Sequence, residues 1–388
     1  MINRLLTSKI MQAAKQFPIV SVMGPRQSGK TTLVRNTFPK AGYVSFEDPD
    51  VRRNVEQDPR GFLNSFDKML IVDEVQRIPE VFSYIQSIVD ERDKNGQFIF
   101  TGSQNYLLHE KITQSLAGRV AILKLLPLSL SELKAASVKG AGVELALQKG
   151  FYPALWKHRA NLGLYYSSYI NTYLERDVRQ IQHIGNLTAF QNFVRLCAGR
   201  AGQVLNLSAL GNDCGISHNT AKAWLSILES SFIIYLLPPY FENYNKRIVK
   251  SPKLYFYDTG LLCHLLGITH AKQVSQHYMK GALFENFAFA ELIKSLHNKL
   301  RYSDIFYWRD KTGNEVDFLI ASGGVKKLIE VKAGKTIGSD YFKGLDYFRK
   351  IHKGKDKLQT YLAYAGLHEY THHQTKMVKL ENVAVIPY

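Results

Sequence analysis

Cysteine is scarce in this 388-residue chain, which has only Cys197, Cys214 and Cys263. An odd, scattered set builds neither a disulfide framework nor a metal-ligand spacing, and predicts reduced, mostly buried thiols. The twelve histidines likewise show no spacing with cysteine that suggests zinc. Long apolar runs are missing too. The longest, around residues 232–237, is stopped by Pro238 and Pro239, well short of a membrane span. The opening MINRLLTSKIMQAAKQF has helical spacing but neither a long apolar core nor a cleavage site, so no secretory leader is expected. A soluble, cytoplasmic protein without a membrane role is the expectation. Acidic residues are also in short supply: Asp and Glu number 33 against 50 Lys and Arg, a formal charge of +17. That balance predicts an anionic partner, with nucleic acid ahead of membrane, the plainer alternative being charge for solubility.

With 45% hydrophobic and 21% charged residues, the composition argues against extensive disorder, and the length allows two or three domains. Up to about residue 133, short apolar β-rich runs alternate with helical stretches, as a parallel α/β sheet requires. Candidate strands lie at 18–23, 43–46, 69–72, 98–101 and 120–125, each continuous enough to be buried on both faces. Residues 145–200 read as mostly helical, including 165–181. From 202 to about 266 come short helices and a strand pair. From residue 281 a helix leads into strands at 305–308, 315–320 and 327–331, a helix at 341–351, and strands near 359–364 and 383–386.

The run PIVSVMGPRQSGKTTLV places Gly24-x-x-x-x-Gly29-Lys30-Thr31 directly after a strand and before a helix. In that context the glycines let backbone N–H groups wrap phosphates at a helix N-terminus. Lys30 would reach the β- and γ-phosphates of ATP, and Thr31 would offer its hydroxyl to Mg²⁺. The expected nucleotide-binding set is Gly24, Pro25, Arg26, Gln27, Ser28, Gly29, Lys30, Thr31 and Thr32. Some forty residues on, KMLIVDEVQ puts Asp73 and Glu74 at a strand's carboxyl end, facing the ligand crevice of such a sheet. Asp73 is expected to hold magnesium and Glu74 to polarise the attacking water. Ser103, Gln104 and Asn105 end the next strand as candidate γ-phosphate sensors, or as an ordinary capped turn. Arg119 is a candidate arginine finger, in cis or in trans, with a surface salt bridge as the equal alternative.

The GPRQSGKTT, LIVDEVQRIPE, FTGSQNYLL and SLAGR–PLSLSEL segments resemble the prokaryotic AAA-type (AAA_14) P-loop ATPases that carry a C-terminal DUF4143 region. NTYLERDVRQI and SPKLYFYDTGLLCHLLG extend that resemblance over essentially the whole chain. It implies an additional-strand ATPase core, then a winged-helix-like module, then a nuclease-like domain. The resulting division is residues 1–135 for the ATPase, 136–200 for a helical connector, 201–270 for the winged-helix-like module and 271–388 for the nuclease-like domain.

In the middle, LNLSALGNDCGISHNTAKAWLSILESSFIIYLL reads as helix, turn, helix, strand, with Gly211 and Gly215 as punctuation and Ser217 as cap. Ile216, Ala221, Leu225 and Leu228 form a buried face, leaving His218, Asn219, Lys222 and Ser226 outward. Such a unit can enter a DNA groove, with the basic stretch 243–250 as the wing loop; a purely structural subdomain is the alternative. Further on, Asp317 lies in one strand and Glu330-Val331-Lys332 in the next. Residues two apart share a strand face, so Glu330 and Lys332 can meet Asp317, and Glu285 could add a third carboxylate. This resembles a PD-(D/E)xK nuclease motif with Val316 in place of proline, and implies Mg²⁺ held by Glu285, Asp317 and Glu330, with Asp317, Glu330 and Lys332 as catalytic residues. A salt-bridged cluster on a sheet face is the alternative.

The overall expectation is an α/β protein: a P-loop parallel sheet, a helical and winged-helix module, and a restriction-endonuclease-like α/β domain. Function is expected to be Mg-dependent ATP hydrolysis coupled to DNA binding or processing. The rival is a nucleotide-driven switch that binds a protein partner through a non-catalytic nuclease-like platform. An AAA-type core also raises the prospect of a homo-oligomeric ring.

Overall fold

The computed structural model describes residues 2–103, 116–138, 142–158, 160–174, 186–241, 251–302 and 304–386. By its internal contacts the chain divides into two compact units. One comprises Met1–Leu128 with Ser230–Phe232 and His297–Leu300; the other comprises Ser129–Glu229, Ile233–Leu296 and Arg301–Tyr388. Gln104 and Asn105, part of 165–181, and the wing loop 243–250 fall outside the described residues.

In the first unit, β1 (Ile19–Met23), β2 (Gly42–Ser45), β3 (Leu70–Asp73), β4 (Phe98–Gly102) and β5 (Val120–Lys124) form one parallel sheet in the order β2-β3-β4-β1-β5. These strands match the expected runs to within a residue or two. β4 is inserted between β1 and β3, the additional strand that the resemblance implied. β1, β3 and β4 are buried along their whole length, and their sequences are accordingly mostly apolar rather than alternating. Successive side chains of β4 serve opposite faces. Ile99 joins Ile10 and Ala14 of helix α1 (Thr7–Gln16) and Leu33 and Val34 of α2 (Lys30–Thr37) in one core cluster. Phe100 meets Phe82 edge-on at 5.9 Å, so its partner comes from a different helix. Each such buried aromatic contributes about 1.5–3 kcal/mol. Helices α3 (Pro49–Gln57) and α4 (Pro59–Asn64) start with proline at the first position and with Asp48 and Asp58 as caps, satisfying amides that a helix start leaves unpaired. Phe82 belongs to α5 (Val81–Arg92).

In the second unit, α6 (Leu187–Ala198) is followed by α7 (Leu207–Asp213) and α8 (His218–Ser230), the helix, turn and helix expected from sequence. Gly215 ends the first in a left-handed conformation (φ 66°), which glycine adopts without the steric penalty of a Cβ. Ser217 caps the second through the Thr220 amide at 3.1 Å. Ala221, Trp224, Leu225, Ile227 and Leu228 are buried, while His218, Asn219, Lys222 and Ser226 are exposed. Trp224, absent from the expected buried face, is its anchor, lying edge-on against Phe190 and Phe193 of α6 at 5.2 and 5.3 Å. Ile216 is only half-buried. β6 (Ile234–Leu237) and β7 (Lys253–Phe256) pair antiparallel, and α9 (Thr259–Leu265) follows.

Helix α10 (Lys280–Asn298) leads into a second sheet: β8 (Ile305–Arg309), β9 (Glu315–Ser322), β10 (Val325–Lys332), β11 (Lys357–Tyr364), β12 (Tyr370–His372) and β13 (Thr375–Lys379). Its order is β12-β13-β11-β10-β9-β8. β8, β9 and β10 form an antiparallel meander; β11 then runs parallel to β10, reached through α11 (Lys343–Ile351). Leu345 and Phe348 of α11 pack on Val316, Leu319 and Leu328 of the sheet. Two elements depart from the expectation. The hairpin β12–β13 was not foreseen, because its turn uses His373 and Gln374 at positive φ (41° and 68°), where Asn-Gly is the usual signal. The strand expected at 383–386 is part of a 3₁₀ turn, Leu380–Val385. Leu380, Val383 and Ile386 are buried three residues apart, the period at which 3₁₀ side chains eclipse. All three cysteines are free thiols; Cys197 and Cys263 are buried and Cys214 is partly so.

Candidate functional site

The loop between β1 and α2 needs glycine at two places. Gly24 has φ 155°, and a Cβ there would collide with the carbonyl oxygen of Leu125 next to β5. Gly29 has φ 91° at the cap of α2, and Gln27 is also left-handed (φ 61°). Alternating handedness of this kind turns successive N–H groups toward one concavity and suits an anion. Lys30 is 6% exposed and donates to the carbonyls of Gly24 (3.0 Å) and Pro25 (2.9 Å), so its ammonium lies inside the loop. Ser28 is buried with no hydrogen-bond partner for its hydroxyl among the described residues, Arg26 is half-buried, and Gln27 and Thr32 are exposed. Arg4, which sequence reasoning missed, braces the loop by donating to Ser28 O at 2.8 Å and to Leu126 O. No local pattern marks it; its role depends on a partner 24 residues away.

Asp73 ends β3 beside that loop and is 9% exposed. Its Oδ1 accepts from Thr31 Oγ1 at 2.9 Å and from Thr101 Oγ1, and its Oδ2 accepts from Tyr43 OH at 3.1 Å. Burial, and then the Asp73 carboxylate, raise the Tyr43 phenol above its usual value, so it remains a donor. Neighbouring hydroxyl and carboxylate oxygens from Thr31 and Asp73 are hard donors of the kind Mg²⁺ takes, so these residues fit the ion. Glu74 follows in a left-handed conformation (φ 52°), and its Oε2 accepts from Gln76 Nε2 and from Ser103 Oγ at 3.2 Å. Ser103 thus meets the site through Glu74.

Arg119 is the correction in this unit. It directly precedes β5, whose Val120 pairs with Ile19 at the start of β1, whereas the phosphate loop follows Met23 at the other end. At roughly 3.3 Å per residue, about 13 Å of strand separates those ends. Arg119 instead grips Asp90 with two hydrogen bonds, 2.6 and 2.8 Å, and does not reach its own phosphate loop. The salt-bridge alternative describes it within the chain.

In the second unit, β9 and β10 pair in a register that puts Asp317 opposite Glu330 when continued from Ile329↔Phe318. Asp317 Oδ2 accepts from the Val331 amide at 2.8 Å, and Lys332 Nζ donates to Glu330 Oε1 at 2.6 Å. These three side chains share a face as expected. Burial, and then the charges of Glu330 and Glu285, hold the Asp317 carboxyl well above the usual range. Burial also raises Glu330, against the pull of Lys332.

The ammonium of Lys253, from β7, lies 2.9 Å from Glu285 Oε1, pairs with Glu315, and is 3.9 Å from Asp317 Oδ1. Tyr255 OH donates to the same Glu285 oxygen. Among the described residues no group of three or more His, Cys, Asp or Glu is arranged to hold a metal ion. Lys253 thus stands among residues expected to hold magnesium, beside Glu285 and Asp317. Lys253, Tyr255 and Glu315 were missed as site residues. Lys253 lay in an expected strand, and only tertiary packing brings it to carboxylates 32 to 64 residues away.

Three family matches cover the chain. Residues 16–134 match an AAA domain, 141–272 a domain of unknown function (DUF8612), and 280–383 a domain of unknown function (DUF4143). The chain is similar to the uncharacterized proteins Rv2008c of Mycobacterium tuberculosis and Mb2031c of Mycobacterium bovis. Each is 29% identical over 337 residues, covering 86% of this chain and 74% of the relative. Among solved structures, the Walker-type ATPase PABY2304 of Pyrococcus abyssi aligns with 69% of this chain and 96% of its own, at 15% identity and TM-score 0.46. The RuvB Holliday junction branch migration motor of Thermotoga maritima aligns with 60% and 87%, at 17% identity and TM-score 0.31. With a phosphate loop on a parallel sheet in the N-terminal match and DUF4143 in the C-terminal one, the chain combines an AAA-type P-loop ATPase domain with a C-terminal DUF4143 region.

Proposed function

We propose that the protein is a Mg-dependent ATPase whose nucleotide state controls nucleic-acid binding by the residues that follow the ATPase domain. The observation that carries the ATPase reading is the Thr31–Asp73 contact of 2.9 Å beside a lysine-filled phosphate loop. In this reading the loop amides from Gly24 to Thr32 hold the phosphates, and Lys30 exchanges its carbonyl partners for β- and γ-oxygens. Thr31 and Asp73 hold Mg²⁺, which when bound offsets the charge that develops on the transferring phosphate. Glu74 orients and polarises the attacking water, and Gln76 and Ser103 set the direction of its carboxylate. A test is ATP turnover by the purified chain with Mg²⁺: Lys30→Ala is expected to abolish it. Turnover unchanged by that substitution would overturn the assignment.

Nucleic-acid binding is supported by the charge of +17 and by the exposed His218, Asn219 and Lys222 on the second helix of a helix-turn-helix. The order helix, three antiparallel strands, helix, parallel strand in α10–β11, with Asp317 and Glu330-x-Lys332 on adjacent strands, supports the nuclease-like reading of this region. Lys253 among those carboxylates favours a platform that binds without cutting. DNA affinity that falls steeply with salt and differs between ATP-bound and nucleotide-free protein is the expected result. No affinity at low salt would leave the protein-docking switch as the better reading. Arg119 can reach a phosphate only in another copy of the chain, so a finger role requires an oligomer.

A further inference from the structure

We infer that Lys253 is the resident cation of the acidic cluster in the second unit, and that its ammonium closes to divalent metal a site the carboxylates would otherwise form. This goes beyond the proposed ATPase function and does not depend on it. The cluster gathers Glu285 from α10, Glu315 and Asp317 from β9, and Glu330 from β10, with Lys253, Lys332 and Arg309, which lies 3.5 Å from Glu315, as its cations. Four carboxylates thus face three cations in a place where Asp317 and Glu330 are each 8% exposed. Lys253 is buried to the tip, with its side chain 3% exposed. Its ammonium lies 2.9 Å from Glu285 Oε1, pairs with Glu315 and is 3.9 Å from Asp317 Oδ1, so it occupies the space between these carboxylates.

Two details point to a cation site and not to a surface ion-pair network. Glu330 Oε2 is buried with no hydrogen-bond partner among the described residues, an acceptor that buried carboxylates seldom leave unmatched. Lys253 is also held where it is by its own backbone. It pairs with Leu237 of β6 on one side and bridges to Val204 on the other, with Leu254 N donating to Gln203 O at 3.1 Å. The cation is delivered by a strand within residues 141–272, whereas all four carboxylates lie within 280–383.

The test is Mn²⁺ titration of the full chain without nucleotide, reading free Mn²⁺ by electron paramagnetic resonance, with folding followed by circular dichroism. Wild type and Asp317→Asn are expected to give the same isotherm. Lys253→Met, which keeps the aliphatic stem, is expected to gain one bound Mn²⁺ per chain and a Tm that rises with Mn²⁺. The double variant Lys253→Met/Asp317→Asn should lose both gains, and Lys253→Arg, which keeps the charge, should show neither. A wild-type site that Asp317→Asn removes would overturn the inference, as would a folded Lys253→Met chain that gains no ion. Should Lys253→Met not fold, the wild-type and Asp317→Asn curves decide: coincidence supports a closed site, and loss of a site refutes it.

Discussion

Thr31 Oγ1 donates to Asp73 Oδ1 at 2.9 Å across 42 residues of chain, so the start of α2 and the end of β3 are joined beside the phosphate loop. Two further hydroxyls, from Tyr43 on β2 and Thr101 on β4, complete the shell of that carboxylate. Asp73 is thus aimed by three different elements. Asp73→Ala is expected to remove Mg-dependent ATP turnover, while Thr31→Ala should raise the Mg²⁺ concentration needed for half-maximal rate. Initial-rate measurements across a Mg²⁺ series distinguish the two, and EDTA should silence the wild type.

Glu74 touches no phosphate-loop atom in the contacts described and is held by Gln76 and Ser103. Its substitution should therefore separate binding from chemistry. Glu74→Gln is expected to keep ATP affinity within a few-fold and to lower kcat by about 10²–10⁴, the usual contribution of a positioned base. Equal losses in ATP affinity and kcat would argue that Glu74 shapes the loop instead.

Gly24 illustrates a backbone requirement rather than a chemical one. At φ 155°, with the Leu125 carbonyl in the path of any Cβ, alanine must displace β5 or the loop. Gly24→Ala is expected to destabilise the chain by about 1–3 kcal/mol and to abolish ATP binding, as read by denaturant melts and nucleotide titration.

Arg119 and Asp90 form an exposed pair away from the phosphate loop. Arg119→Ala is expected to leave the ATP turnover of dilute, monomeric protein unchanged. A loss of rate that appears only at concentrations where copies associate would identify a role in trans.

Lys253 is the buried counter-charge of several carboxylates, and removing one partner of such a set typically costs about 3–5 kcal/mol because the others stay desolvated. Lys253→Ala should show a loss of that order in chemical denaturation. In a double-mutant cycle, adding Glu285→Gln should recover part of it, because a close partner of the ammonium is neutralised at the same time.

Much of the N-terminal half was legible because its signals are contiguous. Gly24, Gly29, Lys30 and Thr31 sit within eight residues, and a strand before and a helix after give that motif one structural meaning. Strands buried on both faces announce themselves as apolar runs, and Asp73 stood out as the carboxylate ending one of them. The helix-turn-helix was readable for the same reason, through local caps and a 3.6-residue apolar period. What sequence could not decide is who faces whom. The insertion of β4 between β1 and β3 came only through resemblance, since apolar runs carry no pairing order. Whether Arg119 faces a phosphate or Asp90 depends on which end of a parallel sheet it occupies. The charge balance around Asp317 depends on a lysine delivered from β7, 64 residues earlier. Local chemistry and periodicity determined the elements and the phosphate loop; the partners of each charged group were decided by tertiary packing, because electrostatic pairing follows distance in space and not along the chain.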